Sequence, residues 1–224
     1  MRKLLFRRAY AYNLGLILVA GVCCFVGQGS SIYAEVVVTP SSYSLLNGEL
    51  GGDVPNFFDD TYNGTGDNNT PLAPLSGGLG DLTDGIVATQ NWNAQHGRYV
   101  GWQSIDPTIT FEFANPVALS SLELFFDDAQ FGGVDNPASV IISNGLTSIN
   151  HTVIDPAGNG PFSSVVNTAG LTGNSFDVTI RRQFVGGSNR WVMVSEVQFA
   201  VPEPSSAFAL FSAAFGISLR RRRR

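Results

Sequence analysis

The segment between residues 35 and 203 contains no lysine and no cysteine. The two cysteines of the chain lie near its N-terminus, which excludes a disulfide framework or a cysteine metal site from this segment. Four arginines oppose 18 aspartates and glutamates there, so the segment carries a net charge of −14. A surface of this charge repels phosphate backbones, and we therefore expect no nucleic-acid partner.

Recognisable catalytic motifs are also lacking. The chain has no GxSxG nucleophile elbow, no HExxH and no glycine-rich phosphate loop. Its two histidines, His96 and His151, lie on separate segments. The many carboxylates leave a glycosidase-type pair open as an alternative, but nothing in the sequence selects one. We expect a protein that is not an enzyme.

A basic head and a short apolar run open the chain. Four basic residues within the first eight positions precede an apolar run over residues 14–26, and Ala34 is a small residue at a suitable cleavage point. This order is typical of a secretory signal peptide, and the run is shorter than the ~20 residues that span a bilayer. We predict a signal helix within residues 1–34, export by the Sec machinery and cleavage after Ala34; an uncleaved anchor is the alternative.

A second apolar run and five arginines close the chain. Fifteen uncharged residues lie between Pro204 and Arg220. As a helix they reach about 22 Å, short of a hydrocarbon core of about 30 Å, and arginine side chains that snorkel outward reduce the deficit. We predict a short transmembrane helix that anchors the protein in the membrane, with the arginines on the cytoplasmic side and the preceding domain outside.

This tail resembles a known sorting signal. Val201, Pro202, Glu203 and Pro204, the apolar span and the terminal arginines have the order and spacing of the PEP-CTERM motif. The resemblance covers residues 201–224 and implies a bacterial envelope protein, made alongside exopolysaccharide systems and cleaved by a membrane protease called exosortase. Two prolines within three residues predict an extended segment. An ordinary tail anchor is the alternative.

Residues 35–200 show the pattern of short strands. Apolar and polar residues alternate in TITFEF, SLELFF and SFDVTIRRQF, and turn residues separate such runs. Asn144-Gly145 between two of the runs predicts a hairpin. We predict an all-β fold, an antiparallel jelly-roll-like β-sandwich of about eight strands, flanked by the N-terminal signal helix and the short C-terminal transmembrane helix.

The order of motifs over residues 82–199 is similar to that of galactose-binding-like domains, which include discoidin, coagulation factor C-type domains and many carbohydrate-binding modules. LTDGIVATQNW, VGWQSIDPTITFEF and RWVMVSEVQF carry the similarity. It implies a sandwich that binds glycans through loops at one end, with a structural calcium ion. By this similarity Asp84 and Glu196 are calcium ligands, and Asp81 is an additional candidate. The alternative is that Asp84 caps a turn and Glu196 faces water.

For ligand contact we single out the stretch NWNAQHGRYVGW. Sugar sites combine an aromatic face with side chains that hydrogen-bond hydroxyl groups. The candidates are Trp92, His96, Arg98 and Tyr99, with Arg190 from a neighbouring loop. Trp102 and Trp191 are assigned to the core, and Trp92 is open to either role.

Three hypotheses follow for the exported protein. The first is a non-catalytic sandwich, sorted by a PEP-CTERM and exosortase system to the cell surface or released into the extracellular matrix, that binds a glycan or exopolysaccharide. The second is a structural matrix or adhesion protein without a defined sugar site. The third is a surface hydrolase.

Overall fold

The computed structural model describes residues 35–52 and 56–203. These residues form eleven strands and two short 3₁₀ turns at Asp81–Thr83 and His96–Arg98. The strands are β1 (Glu35–Val38), β2 (Ser42–Leu46), β3 (Pro74–Gly78), β4 (Val100–Trp102), β5 (Thr108–Asp128), β6 (Ser139–Ser143), β7 (Ser148–Thr152), β8 (Gly160–Arg181), β9 (Phe184–Val185), β10 (Ser188–Asn189) and β11 (Val192–Pro202).

Within the described residues no helix is long and apolar enough to cross a membrane. The predicted signal helix and transmembrane helix both fall outside these residues.

Two long strands, β5 and β8, connect the layers of the fold. The first half of β5 pairs antiparallel with the second half of β8, and the second half of β5 pairs with the first half of β8. The register shifts between Glu112 and Val117 of β5. On one side of this shift β11 pairs with β5, and β1 and β4 pair with β11. On the other side β2 and β3 extend from β5, while β6 and β7 extend from β8. The predicted all-β sandwich is confirmed.

The two layers meet through aromatic side chains. Phe111, in the first half of β5, lies 4.9 Å from Phe199 of β11, measured between ring centroids. Phe199 itself pairs with Leu122 in the second half of β5. The two halves of one strand therefore belong to opposite layers that face each other across the core.

Alternation in the sequence predicts correctly which side chains are buried. Ile109, Phe111 and Phe113 are buried, as are the apolar positions of the SLELFF and SFDVTI runs, whereas the polar residues between them are more exposed. Successive side chains of a strand point to opposite faces, so one polar face and one core face result. This inner face forms the main hydrophobic core.

The strand count differs from the expected eight. TITFEF and SLELFF belong to the single strand β5, and FSSVVNT and the first seven residues of SFDVTIRRQF belong to β8, which ends at Arg181. The intervening turn residues mark the register shift, where Pro116 needs no ladder partner. β3, β4, β9 and β10 were not predicted because they are short or rich in glycine and serine, and β2 has too few β-branched residues.

The predicted hairpin at Asn144-Gly145 is present. Ser143 of β6 lies opposite Ser148 of β7, so the loop has four residues. Gly145 has a φ of +83°, and the Asn144 side chain accepts hydrogen bonds from the backbone N–H groups of Leu146 and Thr147. The asparagine stabilises the turn through its side chain, as in an Asx turn.

The two ends of β11 define the two ends of the sandwich. Pro202 lies opposite Glu35 at one end, and Val192 lies opposite Trp102 at the other. Eleven residues at about 3.3 Å each separate these ends by roughly 33 Å. We call the second end, where the loops around residues 47–52, 90–99, 129–138 and 182–191 lie, the loop end.

Candidate functional site

A cavity of about 480 Å³ opens at the loop end, beside the first residues of β11. Its walls come from loops that are distant in sequence, and most of them are apolar. The lining residues are Leu50, Gly51, Gly52, Phe57, Trp92, Gln103, Gly132, Val134, Trp191 and Met193. We call it the aromatic cavity, since three aromatic rings form its wall.

The aromatic rings of this wall contact one another. Phe57 lies 5.8 Å from Trp92 and 5.4 Å from Trp191 between ring centroids, both in edge-to-face geometry. Phe131 lies 5.6 Å from Trp92 and is exposed. The Nε1 of Trp92 is buried and has no acceptor in the described part of the chain. The wall thus combines apolar ring faces with one unsatisfied donor.

Backbone hydrogen bonds fix the loop that carries Trp92. The Trp92 N–H donates to Asp127 Oδ2 at 2.7 Å, and the N–H groups of Thr89 and Gln90 donate to the side-chain oxygen of Gln95. Tyr99 Oη donates to the carbonyl of Gln90 at 2.8 Å. These contacts hold the backbone from which the indole projects.

Gly132 gives the Trp92 indole room. A Cβ atom at this position would lie 2.5 Å from Cζ2 of Trp92, and the φ of Gly132 is +65°. Both the close approach and the backbone conformation require glycine.

The structure separates the predicted ligand residues. Only Trp92 lines the aromatic cavity; His96 and Arg98 are exposed in a shallow depression formed by residues 94–98. The guanidinium of Arg98 approaches Asp84 at 4.0 Å. Arg190 lies 3.8 Å from Asp135 and precedes Trp191 in the sequence.

Tyr99 is not placed at a ligand surface. It is only 1% exposed and packs in a second hydrophobic cluster with Phe57, Trp191 and Met193. Burial and the charge of Asp127 raise the pKa of its hydroxyl. Alternation places Tyr99 on the face of β4 opposite Val100, which belongs to the main core, and the second cluster from other segments covers that face. The composition of the stretch does not reveal this cover.

Of the ten residues that line the cavity, only Trp92 was predicted as a site residue. Trp191 is 7% exposed, in agreement with its assignment to the core, and it also lines the cavity. Phe57 and Gln103 come from other segments. Gly51, where a Cβ atom would lie 2.5 Å from the Phe57 ring, is a sequence signal of close approach that could have indicated this wall.

Two buried aspartates lie behind the wall. Asp127 and Asp128 end β5, and both are fully buried. Burial raises the pKa of Asp127 to about 6, and burial and the charges of Asp155 and Asp135 raise that of Asp128. One oxygen of each carboxylate, Asp127 Oδ1 and Asp128 Oδ2, has no hydrogen-bond partner in the described residues.

A smaller cavity of about 220 Å³ lies beside Glu196 of β11. Asp84, Gly85 and residues 37–40 also line it. Glu196 is only 3% exposed, and its Oε2 accepts a hydrogen bond from the Gly85 N–H at 3.3 Å. Burial, together with the nearby charge of Asp84, raises the pKa of Glu196 to about 8. Glu196 therefore does not face water.

Asp81 does not join these two carboxylates. Its oxygens accept hydrogen bonds from Thr61 Oγ1 at 2.5 Å and from the Asp60 N–H at 3.1 Å, and it does not line the smaller cavity. Among the residues that the structure describes, no group of three or more His, Cys, Asp or Glu side chains is spaced to hold a metal ion. The smaller cavity offers two carboxylates and backbone oxygens.

The acidic loop over residues 57–69 is partly buried. Asp59 is fully buried and accepts hydrogen bonds from the Tyr43 hydroxyl and from the Asp81 N–H. Burial raises its pKa to about 7. Asp67, in contrast, is exposed and accepts bonds from Asn69 and Thr70 within its own turn.

The first residues of the predicted sorting motif belong to β11. Val201 and Pro202 are extended, as predicted, and pair with Val36 and Glu35 of β1. Glu203 follows the strand and is exposed. Pro204 lies outside the described residues.

Comparison with known protein families gives two matches. The family described as discoidin domain-containing receptor 1/2, DS-like domain, matches residues 41–201. The PEP-CTERM protein-sorting motif matches residues 200–224, which identifies the chain as an exported, envelope-associated protein. No curated protein sequence matches the chain significantly.

Several solved structures resemble the chain. A family 32 carbohydrate-binding module from Clostridium perfringens NanJ, in complex with galactose, is 12% identical, with a TM-score of 0.38; the match covers 75% of this chain and 99% of that one. The module GH31 CBM32-2 bound to GalNAc is 14% identical, with coverages of 75% and 98% and a TM-score of 0.38. A fucose-binding module from Streptococcus pneumoniae is 12% identical, with coverages of 52% and 77% and a TM-score of 0.37.

Proposed function

Since the chain belongs to the family of discoidin domain-containing receptor 1/2 DS-like domains, we propose that its sandwich is a non-catalytic module that binds glycans in the aromatic cavity. The observation that carries this proposal is the wall of Trp92, Trp191 and Phe57 around a cavity of about 480 Å³. This volume lies in the range of small-ligand sites.

The chemistry of the wall suits a sugar. The C–H face of a pyranose ring is apolar and packs on indole faces, while its hydroxyl groups need directional partners. Gln103 supplies an amide at the cavity, and Trp92 Nε1 is a donor that lacks an acceptor. A hydroxyl group that reaches this donor would satisfy a buried polar atom, which strengthens binding.

Calcium fits the smaller cavity as a structural ion. Asp84 and Glu196 would hold it together with backbone carbonyls, since hard oxygen ligands are those that calcium prefers. A buried glutamate beside a second carboxylate is unfavourable without a counter-charge, and the raised pKa of Glu196 reflects this. The ion would supply that counter-charge. Asp81 remains outside the proposed set because it does not line the smaller cavity.

The sorting motif places this module at the bacterial envelope. We propose that an exosortase recognises residues 201–224, and that the module then stays anchored through a C-terminal helix or is released into the exopolysaccharide matrix. The aromatic cavity lies at the loop end, away from β1 and the sorting motif, so the module can hold a glycan while its tail is attached.

A glycan array with the purified protein, followed by titration of the best ligand, tests the function. Trp92→Ala should weaken binding at least tenfold while the far-ultraviolet spectrum and the cooperative unfolding transition remain. His96→Ala is the matched control, because His96 is in the same loop but outside the cavity, and it should bind like the parent. Absence of binding to any glycan would favour a structural matrix protein instead.

A further inference from the structure

All four arginines in the described residues have aspartate partners. Arg181 and Arg182 both contact Asp106, at 2.9 and 3.0 Å, Arg98 approaches Asp84, and Arg190 approaches Asp135. The segment has no lysine. Each arginine of these residues therefore has an acidic neighbour, and Arg181 and Arg182 share a single aspartate.

The wall of the aromatic cavity has carboxylates directly behind it. Asp127 accepts a hydrogen bond from the backbone of the wall residue Trp92, and Asp135 donates its N–H to the carbonyl of the wall residue Trp191. Asp128 accepts from the N–H of Asn136 at 3.2 Å. Asp155 is exposed and close enough to act electrostatically on both Asp128 and Asp135.

Arg190 balances one of these four charges. Arg182 donates to the carbonyl of the wall residue Gln103 and is itself paired with Asp106. The lining of the cavity itself contains no charged side chain among the described residues. A ligand in the cavity is therefore subject to the field of the unbalanced carboxylates through a partly apolar wall, where charges are screened less than in water.

We propose that the aromatic cavity selects uncharged glycans and rejects glycans that carry carboxylate or sulfate groups. This selectivity rests on the proposed glycan-binding function and adds the class of ligand to it. A ligand charge about 10 Å from one unbalanced carboxylate, at an effective dielectric constant of about 20, weakens binding by roughly tenfold.

Pairs of polysaccharides with the same backbone, one member neutral and the other acidic, provide the test. Polygalacturonate and its methyl ester form one pair, and dextran sulfate and dextran form the other. The affinities are measured with the purified protein at low salt, by isothermal titration calorimetry or affinity electrophoresis. In each pair that the protein recognises, the affinity ratio of the neutral to the acidic member should be at least ten. The ratio should decrease in 0.5 M NaCl, because salt screens the repulsion.

A charge variant at the loop end links the selectivity to these residues. Asp155→Asn removes an exposed charge beside the carboxylates behind the cavity wall. It should reduce the affinity ratio of neutral to acidic ligand severalfold. Glu35→Gln makes the same charge change at the opposite end of the sandwich, where Glu35 accepts a hydrogen bond from Ser121, and should leave the ratio unchanged.

The outcomes separate the two proposals. Equal or tighter binding of the acidic member, at low salt, overturns the selectivity and leaves glycan binding in place. If none of these polymers and no glycan on the array binds, the glycan-binding function itself fails, and the selectivity fails with it. An unchanged ratio in Asp155→Asn together with a salt-independent ratio contradicts the electrostatic origin proposed here.

Discussion

Glu35 lies directly opposite Pro202 in the antiparallel pair that β1 forms with the end of β11. The next pair joins Val36 to Val201. β5 pairs with β11 only as far as Ala200, so β1 is the strand that holds the first residues of the sorting motif in the sheet. The residue that follows the predicted signal cleavage point thus contacts the predicted sorting motif.

Removal of residues 35–38 should expose the sorting motif. We expect the amide of Val201 to exchange at least tenfold faster in this deletion variant, because its strand partner is lost, whereas the amide of Ile142 in β6 should not change. Hydrogen exchange followed by mass spectrometry or NMR measures both. Equal protection of Val201 with and without β1 would show that this pairing is not formed in solution.

Replacement of Gly132 should impair ligand binding by displacing a neighbouring residue of the cavity wall. In Gly132→Ala the new methyl group meets the Trp92 indole and displaces it from the cavity wall. We expect at least a tenfold loss of glycan affinity. Gly145→Ala is the matched control, since Gly145 also has a positive φ but no neighbour within 4 Å, and it should lose stability alone. Equal affinity of both variants argues against a role of the Trp92 position.

Trp102 should contribute strongly to the stability of the fold. Trp102 is fully buried, and its Nε1 donates to the carbonyls of Leu46 and Asn47. Trp102→Ala should lower the free energy of unfolding by about 3–5 kcal/mol. Leu146→Ala, at a site that is 94% exposed, should change it by less than about 0.5 kcal/mol. Urea titration measures both; a loss below about 1 kcal/mol in Trp102→Ala would place this side chain outside the core.

Calcium should raise the melting temperature of the protein. Glu196→Gln should abolish this rise because it removes a buried carboxylate ligand, while Asp81→Asn should retain it. Differential scanning fluorimetry with calcium and with EDTA provides the measurement. No rise in the parent protein, or the same rise in Glu196→Gln, rejects the proposed ion site.

Without calcium, stability should decrease as the pH rises from about 5 to 8. The pKa of Asp59 is raised to about 7 and that of Glu196 to about 8, each from an ordinary value near 4. Between the ordinary and the folded pKa of each group, the folded protein binds more protons than the unfolded chain. The stability that each group contributes is therefore complete below about pH 4 and is lost as the pH rises through its folded pKa.

Unfolding titrations at pH 5, 6.5 and 8 in EDTA test this dependence. Glu196→Gln should flatten the plot of stability against pH at its high-pH end, since the glutamine does not titrate. The calcium effect should have the opposite sign and increase with pH, because the ion requires the ionised carboxylate. A stability that is constant or rises over this range contradicts the burial of both groups.

The sandwich was predictable because its strands alternate strongly. The inward positions of β5 and β8 follow from the period of two, and the Asn144-Gly145 turn follows from its residues. The continuity of these strands across the layers was not predictable. It depends on partners distant in sequence, such as the contact of Phe111 with Phe199.

The candidate site was predictable only in part. Trp92 was identified from the aromatic and polar composition of its segment, and the pairing of Asp84 with Glu196 from family resemblance. Tyr99, one residue before β4, points inward, and Asp81 is held by Thr61, neither of which composition reveals. Phe57 and Gln103 reach the cavity through folding of separate loops, which local sequence does not encode.

The direction of β11 has a mechanical consequence. This strand runs from the aromatic cavity, beside Trp191, to the sorting motif at Pro202. A pulling force between a glycan held in the cavity and a tethered tail acts along β11, parallel to its axis. The hydrogen bonds to β5 are perpendicular to that axis, so they are loaded together in shear rather than opened one after another. The strand order therefore suits a module that must hold under tension.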